Sequence, residues 1–177
     1  MTMRHKVFVS YHHDNDQKYR EKFESICEDR IVSWSVEMGD IDEYLKDETI
    51  WQKIRDEYLR ESTVTVILIG EKTWQRKFID WEISASIRDT EKNPRSGLLG
   101  ILLPTHPDYN NDNYNKCIVP PRFYDNCKCD YAKLYDWSNN PETIQNWIHG
   151  AFLRRDSGTP DNSYPRFKGD RRNEGWC

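Results

Sequence analysis

The chain of 177 residues carries 26 Lys and Arg against 30 Asp and Glu, giving a formal charge of −4 and a pI near 5.8. That length suits one domain with a full core and is too short for two ordinary ones. Aromatic residues at 13% argue against disorder, the acidic balance gives no general attraction to nucleic acid or anionic membrane, and no run approaches the ~20 apolar residues of a membrane span.

The first residues lead straight into Lys6-Val7-Phe8-Val9-Ser10, with no apolar signal-peptide core, so the cytoplasm is the expected compartment. Lys6–Ser10 reads as a strand buried on both faces. After the polar Tyr11-His12-His13-Asp14-Asn15-Asp16, Asp16 is placed to cap a helix over about 17–29, on which Tyr19, Phe23, Ile26 and Cys27 recur at helical spacing. Residues 31–36 fit a second strand, and acidic Glu37–Glu48 a loop. Thr49-Ile50-Trp51-Gln52 has the form of a capping box opening a helix to about Arg60.

Val64–Ile69 is the clearest strand, followed by a helix over 74–89 and a fourth buried strand, Gly97–Leu103. Residues 104–131 read as a long irregular insert, since 104–130 hold four Pro, five Asn and three Cys. Ala132–Tyr135 is a short fifth strand. Pro141–Leu153 is the last helix, with Pro141 in its first turn. Residues 157–177 are polar and Gly/Pro-rich, an extended or poorly ordered tail after a domain of residues 1–156.

Strands alternating with amphipathic helices specify an α/β fold around a central parallel sheet of about five strands, with Val64–Ile69 in the middle. Right-handed crossovers bring the loops after the strands to one edge, where ligands of such sheets bind. Tyr11-His12-His13 and the start of the 74–89 helix therefore share an edge. No G-x-G-x-x-G follows the first strand, which argues against a dinucleotide oxidoreductase. A phosphoacceptor receiver needs Asp at the end of the third strand, where Ile69-Gly70 stands.

Cys127-Lys128-Cys129 and Cys117 form one close pair and one distant Cys rather than two zinc-ligand pairs. An odd count of five with no secretion signal does not suggest a disulfide framework; Cys117, Cys127 and Cys129 read as free thiols in a loop, and no metal site is assigned.

Glu82 is the residue that most needs explanation. At about 100° per residue it falls between Phe78 and Ile79, inside an arc of Ala85, Phe78, Glu82, Ser86, Ile79, Ile83 and Ile87. A carboxylate there is paired, for example with a buried Arg, or it is used. Both readings stand on position alone.

Phe8-Val9-Ser10-Tyr11 resembles the opening strand of TIR domains, and Phe78-Ile79-Asp80-Trp81-Glu82-Ile83 looks like the TIR segment in which an aromatic precedes the catalytic Glu by four residues. Together with Ser62–Gly70 and the aromatic-Ser-aromatic-His opening, these residues are most similar to the TIR-like domains of Thoeris antiphage defence proteins of the ThsB type. The resemblance spans roughly residues 5–103. Phe78 stands where many TIR domains have Trp, and Glu37–Glu48 lacks a proline-containing BB-loop motif.

The resemblance implies a three-layer flavodoxin-like fold and an enzyme that cleaves NAD to nicotinamide and a cyclic ADP-ribose isomer or related second messenger. NAD is then substrate, and no separate cofactor is implied. Glu82 would be the catalytic carboxylate, with Phe8, Ser10, Tyr11, His12 and Phe78 lining the substrate site. The implied partners are an effector reached through the diffusible nucleotide, a phage-derived trigger and further copies of the chain, with neither nucleic acid nor membrane. The alternative is a non-enzymatic TIR-type adaptor in which Glu82 is structural.

Overall fold

The computed structural model describes residues 4–36, 41–42, 44–91 and 93–177. Of the loop read over Glu37–Glu48, residues 37–40 and 43 lie outside the described residues. Five strands form one all-parallel sheet in the order β2-β1-β3-β4-β5: β1 (His5–Ser10), β2 (Ile31–Trp34), β3 (Val64–Ile69), β4 (Gly97–Leu102) and β5 (Ala132–Asp136). Both the class expected from the alternating pattern and the central place of Val64–Ile69 are borne out. No helix among the described residues is long and apolar enough to cross a membrane.

Helices α1 (His13–Cys27) and α5 (Pro141–Ser157) share a core on one face with Val7, Val9, Tyr11, Val64, Val66, Leu68, Leu99 and Ile101. The other face carries α2 (Asp47–Lys53), which continues as a π-helical turn over Ile54–Tyr58, with α3 (Lys77–Ser86) and α4 (Pro121–Lys128). There Phe8 packs with Ile50, Trp51, Trp81 and Ala85, while Ile67, Ile69, Leu98 and Leu102 pack with Ile79, Ile83 and Phe123. The strand period of two sends neighbouring residues of β1 to opposite layers.

Several boundaries differ from the pattern-based reading, each for a local reason. Helix α1 starts at His13, with His12 rather than Asp16 at its N-cap position; Asp14 and Asp16 occupy the first turn, where the helix dipole favours acids. Helix α2 starts at Asp47, so Thr49 and Gln52 form no capping box, and Gln52 Nε2 donates instead to Glu48 Oε1 at 3.3 Å. The expected 74–89 helix is a 3₁₀ turn over Thr73–Gln75 followed by α3. The insert read over 104–131 contains α4, because Pro121 sits at the helix start, where its missing N–H is harmless.

The polar tail is also docked rather than loose. Phe167 is buried, Trp81 Nε1 donates to its carbonyl at 2.8 Å, and Arg171 N donates to the Gln75 carbonyl at 2.8 Å. Cys117 is bonded to Cys177, which corrects the reading of Cys117 as a free loop thiol; Cys27, Cys127 and Cys129 are thiols.

Gly97 opens β4 where α5 crosses it closely: a Cβ there would lie 2.2 Å from the Ala151 carbonyl oxygen. That oxygen belongs to a helix backbone and cannot rotate away. Gly97→Ala is therefore expected to lower unfolding free energy by about 1–3 kcal/mol, read from urea midpoints at unchanged slope; wild-type stability would show that α5 is not seated this closely.

Candidate functional site

Strand β1 leaves toward β2 while β3 leaves toward β4, so the crossovers diverge between β1 and β3, the point at whose carboxyl ends sheets of this kind take their ligands. Ser10 ends β1 on the face covered by α3, and Glu82 lies in the middle of α3 facing it. The Ser10 hydroxyl donates a hydrogen bond to Glu82 Oε2. Glu82 is 4% exposed and Ser10 1%.

The surroundings of Glu82 follow from the helical wheel. Ile79, Ile83 and Ile87 pack into the apolar cluster over β3 and β4, while Phe78, Trp81 and Ala85 join the one around Phe8. Glu82 occupies the seam between the two. Burial there disfavours the charged form and pushes its carboxyl up to about 8, against the opposing effect of the Ser10 hydrogen bond. The guanidinium imagined for Glu82 in the structural alternative is used elsewhere: Arg122 donates to Asp80, on the outer side of α3.

The other expected site residues divide. Phe8 is fully buried on the Glu82 side of the sheet, and Phe78 is half-buried, edge-on to Trp81 with ring centroids 5.7 Å apart. His12 is 7% exposed at the end of β1, and its Nδ1 has no hydrogen-bond partner among the described residues. Burial first, then the nearby positive charge of Arg76, holds its ring below the ordinary imidazole range; Asp14 and Asp170 act in the opposite sense. Tyr11 is not brought to Glu82. Its ring lies in the core of the opposite layer and its hydroxyl donates to Gln17 Oε1 at 2.6 Å, as strand alternation requires of the residue after Ser10.

Two acids at this edge were not singled out as site residues. Asp16 is 1% exposed with its Oδ2 unpartnered among the described residues, and Thr105 Oγ1 donates to Oδ1 at 3.3 Å. Its carboxylate fills the space over Gly70, where a Cβ would meet Oδ2 at 2.3 Å, and burial raises its pKa to about 6. The signal available in the sequence was glycine at the end of β3, which admits a side chain from α1. Asp170, in the tail, accepts from Lys77 N at 2.8 Å and pairs with Arg76 at 3.2 Å. Nothing in local patterning connects residue 170 with residue 77.

Two open surface cavities lie elsewhere: one of about 520 Å³ lined by Arg55, Asp56, Arg60, Thr90, Glu91 and Asn93, and one of about 480 Å³ beside Glu21, Glu24 and Glu28.

A family model described as the TIR-like domain of the Thoeris protein ThsB matches residues 8–108, more than half of the chain. Among solved structures, the chain is similar to the TIR domains of the activated Roq1 resistosome directly recognizing the pathogen effector XopQ, with 13% identity, 86% of this chain and 84% of that chain covered, and a TM-score of 0.41.

The raised pKa of Glu82 is also a statement about stability. The folded state holds the Glu82 proton from the ordinary value of 4.5 up to about 8. The contribution is therefore fully present below pH 4.5 and is lost as pH rises through about 8. Glu82→Gln, which cannot ionise, is expected to match wild type near pH 4.5 and to exceed it by roughly 2–5 kcal/mol above pH 8. Denaturation at three pH values checks this; a constant difference across them would mean that Glu82 is not buried uncharged.

Proposed function

The chain belongs to the TIR-like family of the Thoeris protein ThsB, and from that premise we propose that it is an enzyme that cleaves NAD. The bond from nicotinamide N1 to ribose C1′ breaks with its electron pair going to nicotinamide. The ADP-ribosyl group passes to an acceptor that is part of the substrate, water or a second small molecule. The product is a cyclic ADP-ribose isomer or another ADP-ribose-derived messenger that activates a separate effector, in a cytoplasmic defence response set off by a phage-derived trigger.

One observation carries this reading: a buried carboxyl, Glu82, held by Ser10 at the divergence of β1 and β3. Ribose acquires oxocarbenium character as nicotinamide departs, and a fixed carboxylate beside it stabilises that charge. In the closed site Glu82 is mostly protonated at neutral pH. A bound pyridinium cation favours its ionised form, so the charge arises where the substrate places its own. Ser10 orients the carboxyl, Phe8 and Phe78 supply apolar walls, and neutral His12 offers a hydrogen bond at the end of β1. Tyr11 is left out of this assignment.

The test is nicotinamide release and nucleotide mass spectrometry on purified protein and in infected cells carrying the cognate effector. Glu82→Gln is expected to fold and to lose messenger formation by about 10²–10³-fold. The acid limb of kcat/KM for NAD should lie near pH 8, and Ser10→Ala should move it upward, because the hydrogen bond it removes favours the carboxylate. If the Gln variant at equal abundance still makes the nucleotide and activates the effector, Glu82 is structural.

A further inference from the structure

The tail after α5 runs along the helix that carries Glu82, from its C-terminal half to its first turn. Asn162 Nδ2 donates to the Ser84 carbonyl at 3.0 Å, and Phe167 N donates to Asp80 Oδ2 at 2.9 Å. Trp81 donates back to the Phe167 carbonyl. Asp170 then caps Lys77 N and pairs with Arg76, and Arg171 N takes the Gln75 carbonyl. Asp170 and Arg76 both lie near enough to His12 for their charges to act on its ring. The segment 167–171 thus crosses the edge at which β1 ends and α3 begins, beside a His12 that is 7% exposed.

Beyond that crossing the tail is fastened at Gly175-Trp176-Cys177. Trp176 N donates to the Cys117 carbonyl at 2.9 Å, and its indole N–H points at the Lys116 and Val119 carbonyls, each at 2.8 Å. Gly175 lies so near Cys117 that a Cβ would come within 3.0 Å of the Cys117 Cβ. The Cys117–Cys177 bond closes the fastening. Cys177 is exposed and Cys117 half-buried, so a reductant can reach the pair.

We infer that residues 167–177 form a redox-latched strap over the His12 edge of the site, held shut by the Cys117–Cys177 disulfide and released when a thiol reductant opens it. The inference rests on the Glu82 site as the working site, but its readouts do not need NAD turnover. In the release step a thiolate of a dithiol attacks one sulfur of the bond, and the second thiol of the reductant resolves the mixed disulfide. Cys117 and Cys177 leave as thiols, taking two electrons and two protons, and the reductant becomes a disulfide. Freed at Cys177, the strap keeps its hydrogen bonds, the seat of Phe167, the ring contacts of Trp176 with Tyr124 and Tyr164, and the partly exposed Arg76–Asp170 pair near His12; beyond Phe167 these are contacts of the kind that open locally.

The experiment compares full-length protein oxidised with diamide, the same protein reduced with dithiothreitol, and Cys177→Ser without reductant. Thiol alkylation and mass spectrometry establish the state of Cys117 and Cys177. Strap opening is read by trypsin cleavage after Arg171 and Arg172, and site access by diethyl pyrocarbonate labelling of His12 relative to His13. Reduction and Cys177→Ser are each expected to raise cleavage roughly tenfold and relative His12 labelling about threefold, at unchanged melting cooperativity. His12 labelling equal in all three forms, cleavage indifferent to the disulfide, or failure of the two cysteines to pair under diamide overturns the inference. A rise in both readouts supports it even if NAD cleavage is absent, which would count against the NAD reading alone.

Discussion

Everything on the α3 side of the sheet is organised around one buried cation. Arg122 is 1% exposed, and its guanidinium places Nε and Nη2 on the two Asp80 oxygens while Nη1 reaches the side chain and carbonyl of Asn162. Asp80 Oδ2 also accepts from Phe167 N. A buried charge is tolerable only with its hydrogen-bonding capacity used, and removing one partner strands the other at a cost of several kcal/mol. The guanidinium therefore joins α3, α4 and the tail in a single knot, and the position of Glu82 depends on it.

The knot explains which parts of the molecule were legible beforehand. Val64–Ile69, Gly97–Leu102 and the apolar arc of α3 follow from short-range periodicity, because the sheet and its two layers bury what that periodicity marks. The outer side of α3 does not. Asp80, Trp81 and Ser84 lie outside that arc, yet each is buried, because residues 162–167 and α4 cover them. The tail looked too polar to order; its one buried apolar side chain is Phe167, and its backbone finds partners in Asn126, Asp80 and Gln75. Such pairing across 35 to 98 residues leaves no local trace.

The site shows the same division. Glu82 and Ser10 could be brought together from topology alone, since one ends a strand and the other begins the next layer at the same edge. Tyr11 could not join them, because a strand that commits Ser10 to one layer commits its neighbour to the other. Asp16 was assigned a helix cap on residue type, whereas the chain uses it as a buried plug over Gly70. A cap and a plug differ only in what packs above them.

Asp80 and Glu82 sit two residues apart, about 200° around the helix. One is tied outward to Arg122 and the tail, the other inward to Ser10. A helix keyed at two nearly opposite angles cannot turn about its own axis without breaking one key or the other. Any motion that uncovers Glu82 must therefore carry α3 as a rigid bar, sliding or swinging away from β1, with the bending confined to the connections on either side of it, Gly70–Arg76 and Ile87–Ser96. The helix behaves as a bolt rather than a spindle.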